Sequence, residues 1–198
     1  VLVPLESLLA RGTAAVVAAS GQSVPAAVSS AASRSTAPAV KVSDSGPDGT
    51  WHDLRDGSGR AAGQVQARVS YAPDGEHVLS SGGDPSLHAG TVSVDPMSAR
   101  DLVVGAGGDA GGVGTAVRVR VGGSEVTSSV VDVGADGEPH WSESLELPVS
   151  GVRGRDAVAE VAVVDASGRE LGTVLVPLES LLARGTAAVV AASGQSVP

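Results

Sequence analysis

The chain has 198 residues, a formal net charge of −9, no cysteine and no phenylalanine; Trp51, Trp141 and Tyr71 are its only aromatic residues. The acidic balance argues against nucleic acid, whose phosphates call for a surplus of Lys and Arg, and against unaided attraction to anionic lipid. Without cysteine there is no disulfide, thiolate zinc site or Cys nucleophile, and no apolar run has the length of a membrane span.

In chain order, residues 1–5 read as a short strand and residues 6–10 (ESLLA) as a helical turn. Residues 12–50 are mostly Ala, Ser, Gly, Thr and Pro, the composition of a linker or long surface loop. Beyond Trp51, Val65, Ala67, Val69 and Tyr71 alternate with polar residues, the period of a half-buried strand, and Asp56-Gly57-Ser58-Gly59 supplies a turn before it. Residues 74–89 form a polar spacer. Strands are expected at residues 91–95, with 101–104 continuing the edge, and at 116–121, 125–133, 145–149, 158–164 and 172–178. Residues 105–114 are a glycine loop. The core must be built from Val, Leu and Ala, which bury less area per residue than aromatics, so modest stability is expected.

Residues 174–198 repeat residues 1–25 without a mismatch, an offset of 173 residues. Chance does not produce such identity. A recent local duplication is one reading; the preferred one is a unit repeated at that period, as in an array, so that the sequence begins and ends at equivalent points of successive units. Because the same letters recur at the far end, the leader-like start, with Leu8, Leu9 and the run from Ala14 to Ala19, is expected to be internal sequence.

Five segments carry a family resemblance. From Gly90, GTVSVDPMSARDL is similar to the opening strand of a C2 domain, and AVRVRVGG to the strand after its first loop. PHWSESLELPV, VAEVAVVDASGRELGTVLVPLESLL and WHDLRDGSGRAAGQVQARVSYAP resemble the family's P-x-W-N-E segment, its V-x-V-x-D to I-P-L segment and its closing strand. The resemblance implies an all-β, antiparallel, eight-stranded C2-type sandwich, with the closing strand displaced ahead of the opening one. Residues 1–73 then resemble the end of one C2-like unit, 74–89 a spacer, and 90–198 the beginning and middle of the next. Residues 61–72 are expected to close either this chain's own sandwich, as in a circular permutant, or a neighbour's, giving a head-to-tail filament.

C2 domains often bind calcium between aspartate-bearing loops, and Ca²⁺ takes six to eight oxygens. By that resemblance the candidate metal ligands are Asp109 in the first loop and Asp165 in the third, a degenerate set in which Ser167 stands at an acidic position. Ordinary turn roles compete for both aspartates. Arg118 and Arg120 share one face of a strand, roughly where some C2 domains contact phospholipid; a solvated face is the competing reading. Gly105, Gly107 and Ala110 fit G-x-G-x-x-[GA], but a strand follows where a dinucleotide site needs a helix. The histidines, His52, His77, His88 and His140, show no metal-ligand spacing to one another, and no G-x-S-x-G elbow occurs. Trp141 is expected in the core. Leu5, Leu8 and Leu9 share a helical face that either caps the sandwich or docks a partner, with capping preferred.

These features point to a non-catalytic module without a cofactor, save possible calcium. It would be a structural, protein-interaction scaffold in a tandem array, its partners neighbouring copies or another structural protein. The alternative is a peripheral membrane module binding anionic phospholipid. Absent cysteine and the resemblance together favour an intracellular, cytoskeletal or membrane-associated setting.

Overall fold

Alternating valines become antiparallel strands wherever a neighbour supplies the ladder. A computed structural model describes residues 40–80, 87–103, 114–154 and 157–194. In chain order the elements are β1 (Val42–Ser43), β2 (Thr50–Arg55), β3 (Ala61–Pro73), α1 (Gly75–Ser80) and β4 (His88–Arg100). There follow β5 (Thr115–Val121), β6 (Ser124–Thr127), β7 (Leu145–Val152), β8 (Val158–Asp165), β9 (Glu170–Pro177) and α2 (Glu179–Ser193). All these residues belong to one unit, Thr36–Pro198.

Eight strands follow one path, β6-β5-β8-β9-β2-β3-β4-β7, with the two-residue β1 beside β3. The path folds into two four-stranded layers. They join at one corner through a single pair, Arg55 with Thr173. At the opposite corner Ser124 Oγ on β6 donates to Pro148 O on β7 at 2.9 Å. Val117, Val119 and Val121 of β5 and Ala159, Val161 and Val163 of β8 face inward from one layer. Val65, Val69, Val92, Val94, Leu145 and Leu147 meet them from the other. The fully inward set is aliphatic except for Tyr71 and Trp141, which is 5% exposed. Trp141 is thus a core anchor, as its size predicts.

The closing strand β3 pairs with the opening strand β4 of the same chain, from Gln64–Arg100 to Pro73–Gly90. β4 in turn pairs with β7 from His88–Val152 to Val94–Leu145. Of the two ways to complete the sandwich, the chain takes the permuted one: residues 61–73 close it in place. Both edges of β4 are therefore satisfied within the molecule, which removes the open template that a missing strand would leave.

Several local expectations need correcting. The strand expected over 125–133 ends at Thr127; beyond it Ser128 N still donates to Val117 O at 2.8 Å, and Val131 exchanges both backbone bonds with Thr115 at 2.7 and 2.8 Å, so the chain keeps touching β5 without a continuous ladder. The edge expected over 101–104 stops because Asp101 adopts φ 54°, which bends the chain out of β4. The spacer 74–89 contains α1, whose first amides, Glu76 N and His77 N, donate to Asp74 Oδ1 at 3.0 and 3.2 Å. Within 12–50, β1 forms against β3. The expected strand at 1–5, the helical turn at 6–10 and nearly all of the glycine loop lie outside the described residues.

In α2 the sequence offers two readings, a helical turn followed by Ala-rich loop or a helix that continues through the leucine face, and the structure takes the second, over fifteen residues. Leu178, Leu181, Leu182 and Val189 recur at helical spacing and are buried together with Gly185 and Thr186. Gly185 lets the helix sit directly on Tyr71; a Cβ there would lie 2.6 Å from ring atom Cδ1. Arg184 Nη2 donates to Ser43 O at 3.0 Å, and Thr186 Oγ1 lies 3.1 Å from His88 Nδ1. Left-handed Gly194 (φ 72°) ends the helix, its N–H bonded to Ala191 O. The leucine face therefore caps the sandwich.

Candidate functional site

At one end of the sandwich Gly114, which leads into β5, meets the 128–144 connection between β6 and β7 and the short turn between β8 and β9. A Cβ built on Gly114 would lie 2.5 Å from Val130 Cγ1, 3.5 Å from Asp132 Oδ1 and 3.8 Å from Ala166 Cβ. Asp165 stands at this end, 7% exposed. Its Oδ1 accepts Ser167 N (2.9 Å), Ser167 Oγ (2.5 Å) and Arg169 N (3.0 Å). Its Oδ2 accepts Arg169 Nε at 2.9 Å. The Ser167 hydroxyl above all, then the Arg169 amide and guanidinium and the Ser167 amide, outweigh partial burial and hold the carboxyl at about 2.

This arrangement gives Asp165 the competing turn role. A Ca²⁺ ion needs several oxygens with free lone pairs, whereas both Asp165 oxygens already serve the β8–β9 turn and an arginine stands beside them. The other candidate ligand, Asp109, lies outside the described residues. The turn role makes an acid-pH prediction. An aspartate whose folded pKa is depressed adds stability above its unfolded pKa of about 4, and that stability drains away as pH falls towards about 2. D165N should therefore melt lower than the parent at pH 5, and the gap should close by pH 2. Melting curves across that range check it.

Arg118 and Arg120 do share the outer face of β5, as their spacing predicts. Neither guanidinium stands alone. Arg118 Nη2 meets Glu170 Oε2 at 3.0 Å. Arg120 binds Glu125 through Nε and Glu160 Oε1 through Nη1 at 3.2 Å. The register explains the second cluster: Arg120 is the cross-strand partner of Glu125 on β6 and of Glu160 on β8, so the three form one row. The Glu125 hydrogen bond is the main reason the Arg120 pKa is raised, with Glu160 adding to it. Three carboxylates around two arginines leave this face without a cationic surplus.

Among the described residues, one group has side chains near enough to share a metal ion: Asp136, Glu138 and His140, with ligand atoms within 4.8 Å of one another. His140 Nε2 lies 2.7 Å from Asp136 Oδ2, and both side chains are exposed. The His140 contact, followed by the Glu138 amide, lowers the Asp136 pKa. Sequence reasoning compared histidines only with one another; the signal that it passed over is a histidine following carboxylates at alternate positions.

The five segments that suggested a family now fall on β2–β3, β4, β5, β7 and β8–β9. Each supplies strands to one antiparallel sandwich, with the closing strand beside the opening one. That is the all-β, antiparallel sandwich that the resemblance implies. No family model and no curated protein matches the chain. Among solved structures, the third C2 domain of the KIAA1228 protein matches at 21% identity and TM-score 0.38, over 48% of this chain and 71% of that one. The first of the lettered C2 domains of RIM from Drosophila matches at 19% identity and TM-score 0.39, over 59% of this chain and 86% of that one. The paired C2 domains of extended-synaptotagmin 2 match at 21% and 0.40, over 67% and 46%. The loop end holds Asp165 and the outer face of β5 holds Arg118 and Arg120, and the structure engages all three in internal pairs.

Proposed function

We propose that the chain is a non-catalytic, C2-like scaffold module that associates with copies of itself in a tandem or head-to-tail array. In this reading residues 1–73 are the end of one unit and 90–198 the beginning and middle of the next. The observation that carries it is the 25-residue identity between the two ends of the chain. A segment repeated letter for letter gives successive units the same docking surfaces. The paired state of Asp165, Arg118 and Arg120 supports protein contact over membrane contact, because calcium-bridged or cationic attachment to phospholipid needs those groups free.

Sedimentation velocity over a hundredfold concentration range tests this reading. The expected result is a mass that rises with concentration and is insensitive to Ca²⁺. A chain that stays monomeric throughout, yet co-sediments with phosphatidylserine vesicles with or without Ca²⁺, would replace the scaffold reading with the peripheral membrane one.

A further inference from the structure

The chain carries one position for a β9–α2 segment and two identical sequences able to occupy it. From Val174 onward, β9 and α2 lie wholly within the repeat. This segment pairs with β8 through Val161–Val174, Glu160–Leu175, Ala159–Val176 and Val158–Pro177. It buries Val176, Leu178, Leu181, Leu182 and Val189. Residues 1–20 carry the same side chains in the same order, with Val3, Leu5, Leu8, Leu9 and Val16 at the equivalent places. Arg11 likewise repeats Arg184, whose guanidinium ties α2 to Ser43.

We propose that the β9–α2 position of one chain accepts residues 1–20 of a second copy of the same chain. Every strand bond and packing contact of residues 174–193 is reproduced, while Glu170–Thr173, which lie outside the repeat, stay paired with β8 and β2 of the accepting chain, so the exchange leaves the interaction energy of the repeated segment unchanged; only the tether differs. The resident copy follows β8 through the short Asp165–Arg169 turn, and this small loop-closure cost keeps it in place in an isolated chain. The two copies stand at opposite ends of the sequence. An exchange between chains therefore joins tail to head, which is the connection an array requires; in this respect the inference rests on the scaffold reading. Swapping an identical element is a low-cost route to association.

The test weakens one copy at a time in the full chain, by placing a charge at a leucine that is fully buried in the resident copy. L9D should behave as the parent. L182D should remain folded as an oligomer of two or more chains, with a melting midpoint that rises with protein concentration. L9D/L182D, with neither copy usable, should lose its cooperative transition. A monomeric L182D at every concentration, folded or unfolded, would overturn the proposal. The outcome is separate from the scaffold test: a parent chain that never associates, beside an oligomeric L182D, would sink the array and leave the exchange standing.

Discussion

Replacing Tyr71 by alanine should cost the fold about 3–5 kcal/mol, the range for deleting a large buried aromatic. Tyr71 is 0% exposed and is one of only two large aromatic anchors in a core of Val, Leu and Ala. Its ring carries contacts that no neighbour can replace. Gly185 of α2 lies on one edge, and a Cβ on Gly90 of β4 would come within 2.9 Å of Cε2 on the other. His88 meets the ring edge-on at 6.5 Å between centroids. Removing the ring would therefore uncouple α2 from β3 and leave a cavity where the chain is least able to collapse around it. Urea denaturation should show a midpoint far below that of the parent. Tyr71→Phe isolates the hydroxyl, which donates to Ala89 O at 2.7 Å. Ala89 O also accepts Asp74 N at 2.8 Å, so the carbonyl keeps a partner and the loss should be only about 0.5–1.5 kcal/mol.

The same residue sets an alkaline limit. Burial, with the Asp74 charge second, pushes the Tyr71 phenol up to about 12. In an unfolded chain it ionises near 10. Its contribution is thus fully present below pH 10 and is lost as pH rises towards about 12. Tyr71→Phe should flatten that limb of the pH–stability curve.

Gly90→Ala is expected to have the second large effect. Gly90 sits in β4 opposite Pro73 with φ 154°. A Cβ there would lie 2.3 Å from Ala72 O and 2.8 Å from Pro73 Cα, both backbone atoms. A side chain can swing aside, whereas a strand held on both edges moves only by breaking its ladder. The methyl would have to push β3 and β4 apart where they first meet. Overpacking typically costs about 1–3 kcal/mol and local backbone strain about 1–3 kcal/mol, so a total near 3 kcal/mol is expected. Thermal melting of Gly90→Ala should reveal it.

What could be read in advance follows from where the information lies. β3 and β5 alternate, and each has a paired neighbour on both sides, so pattern and ladder agree; β8 is apolar on both faces, with Ala162 and Val164 buried as well as the inward row. Val131 and Val133 flank Asp132 at the same period, but of the two Val131 alone bridges to β5, at Thr115, and β6 stops at Thr127. The helix α2 was half legible. Its leucine spacing offered a helix that caps the sandwich, while its Gly, Thr and Ala residues resemble loop composition, and the seat of Gly185 on Tyr71 joins positions over a hundred apart in sequence. The shared face of Arg118 and Arg120 followed from period two. Their carboxylate partners on β6, β8 and β9 became visible only with the register. Asp165 was found by resemblance, yet its occupation by Ser167 and Arg169 is a property of a five-residue turn that composition does not reveal.

The account depends most on residues 61–73 closing the sandwich of their own chain. Val69 N donates to Asp44 Oδ1 and Val69 O accepts Asp44 N, both at 3.0 Å, so its backbone groups point away from β4. Val69 and Val94 are cross-strand partners, and this orientation makes them the closely spaced, non-hydrogen-bonded type of antiparallel pair. Two cysteines there have disulfide-compatible separation, and the chain has no native cysteine to compete. Oxidised V69C/V94C, analysed by non-reducing mass spectrometry at low concentration, should carry a disulfide within single chains. A disulfide found only between chains, or none at all, would contradict closure in place.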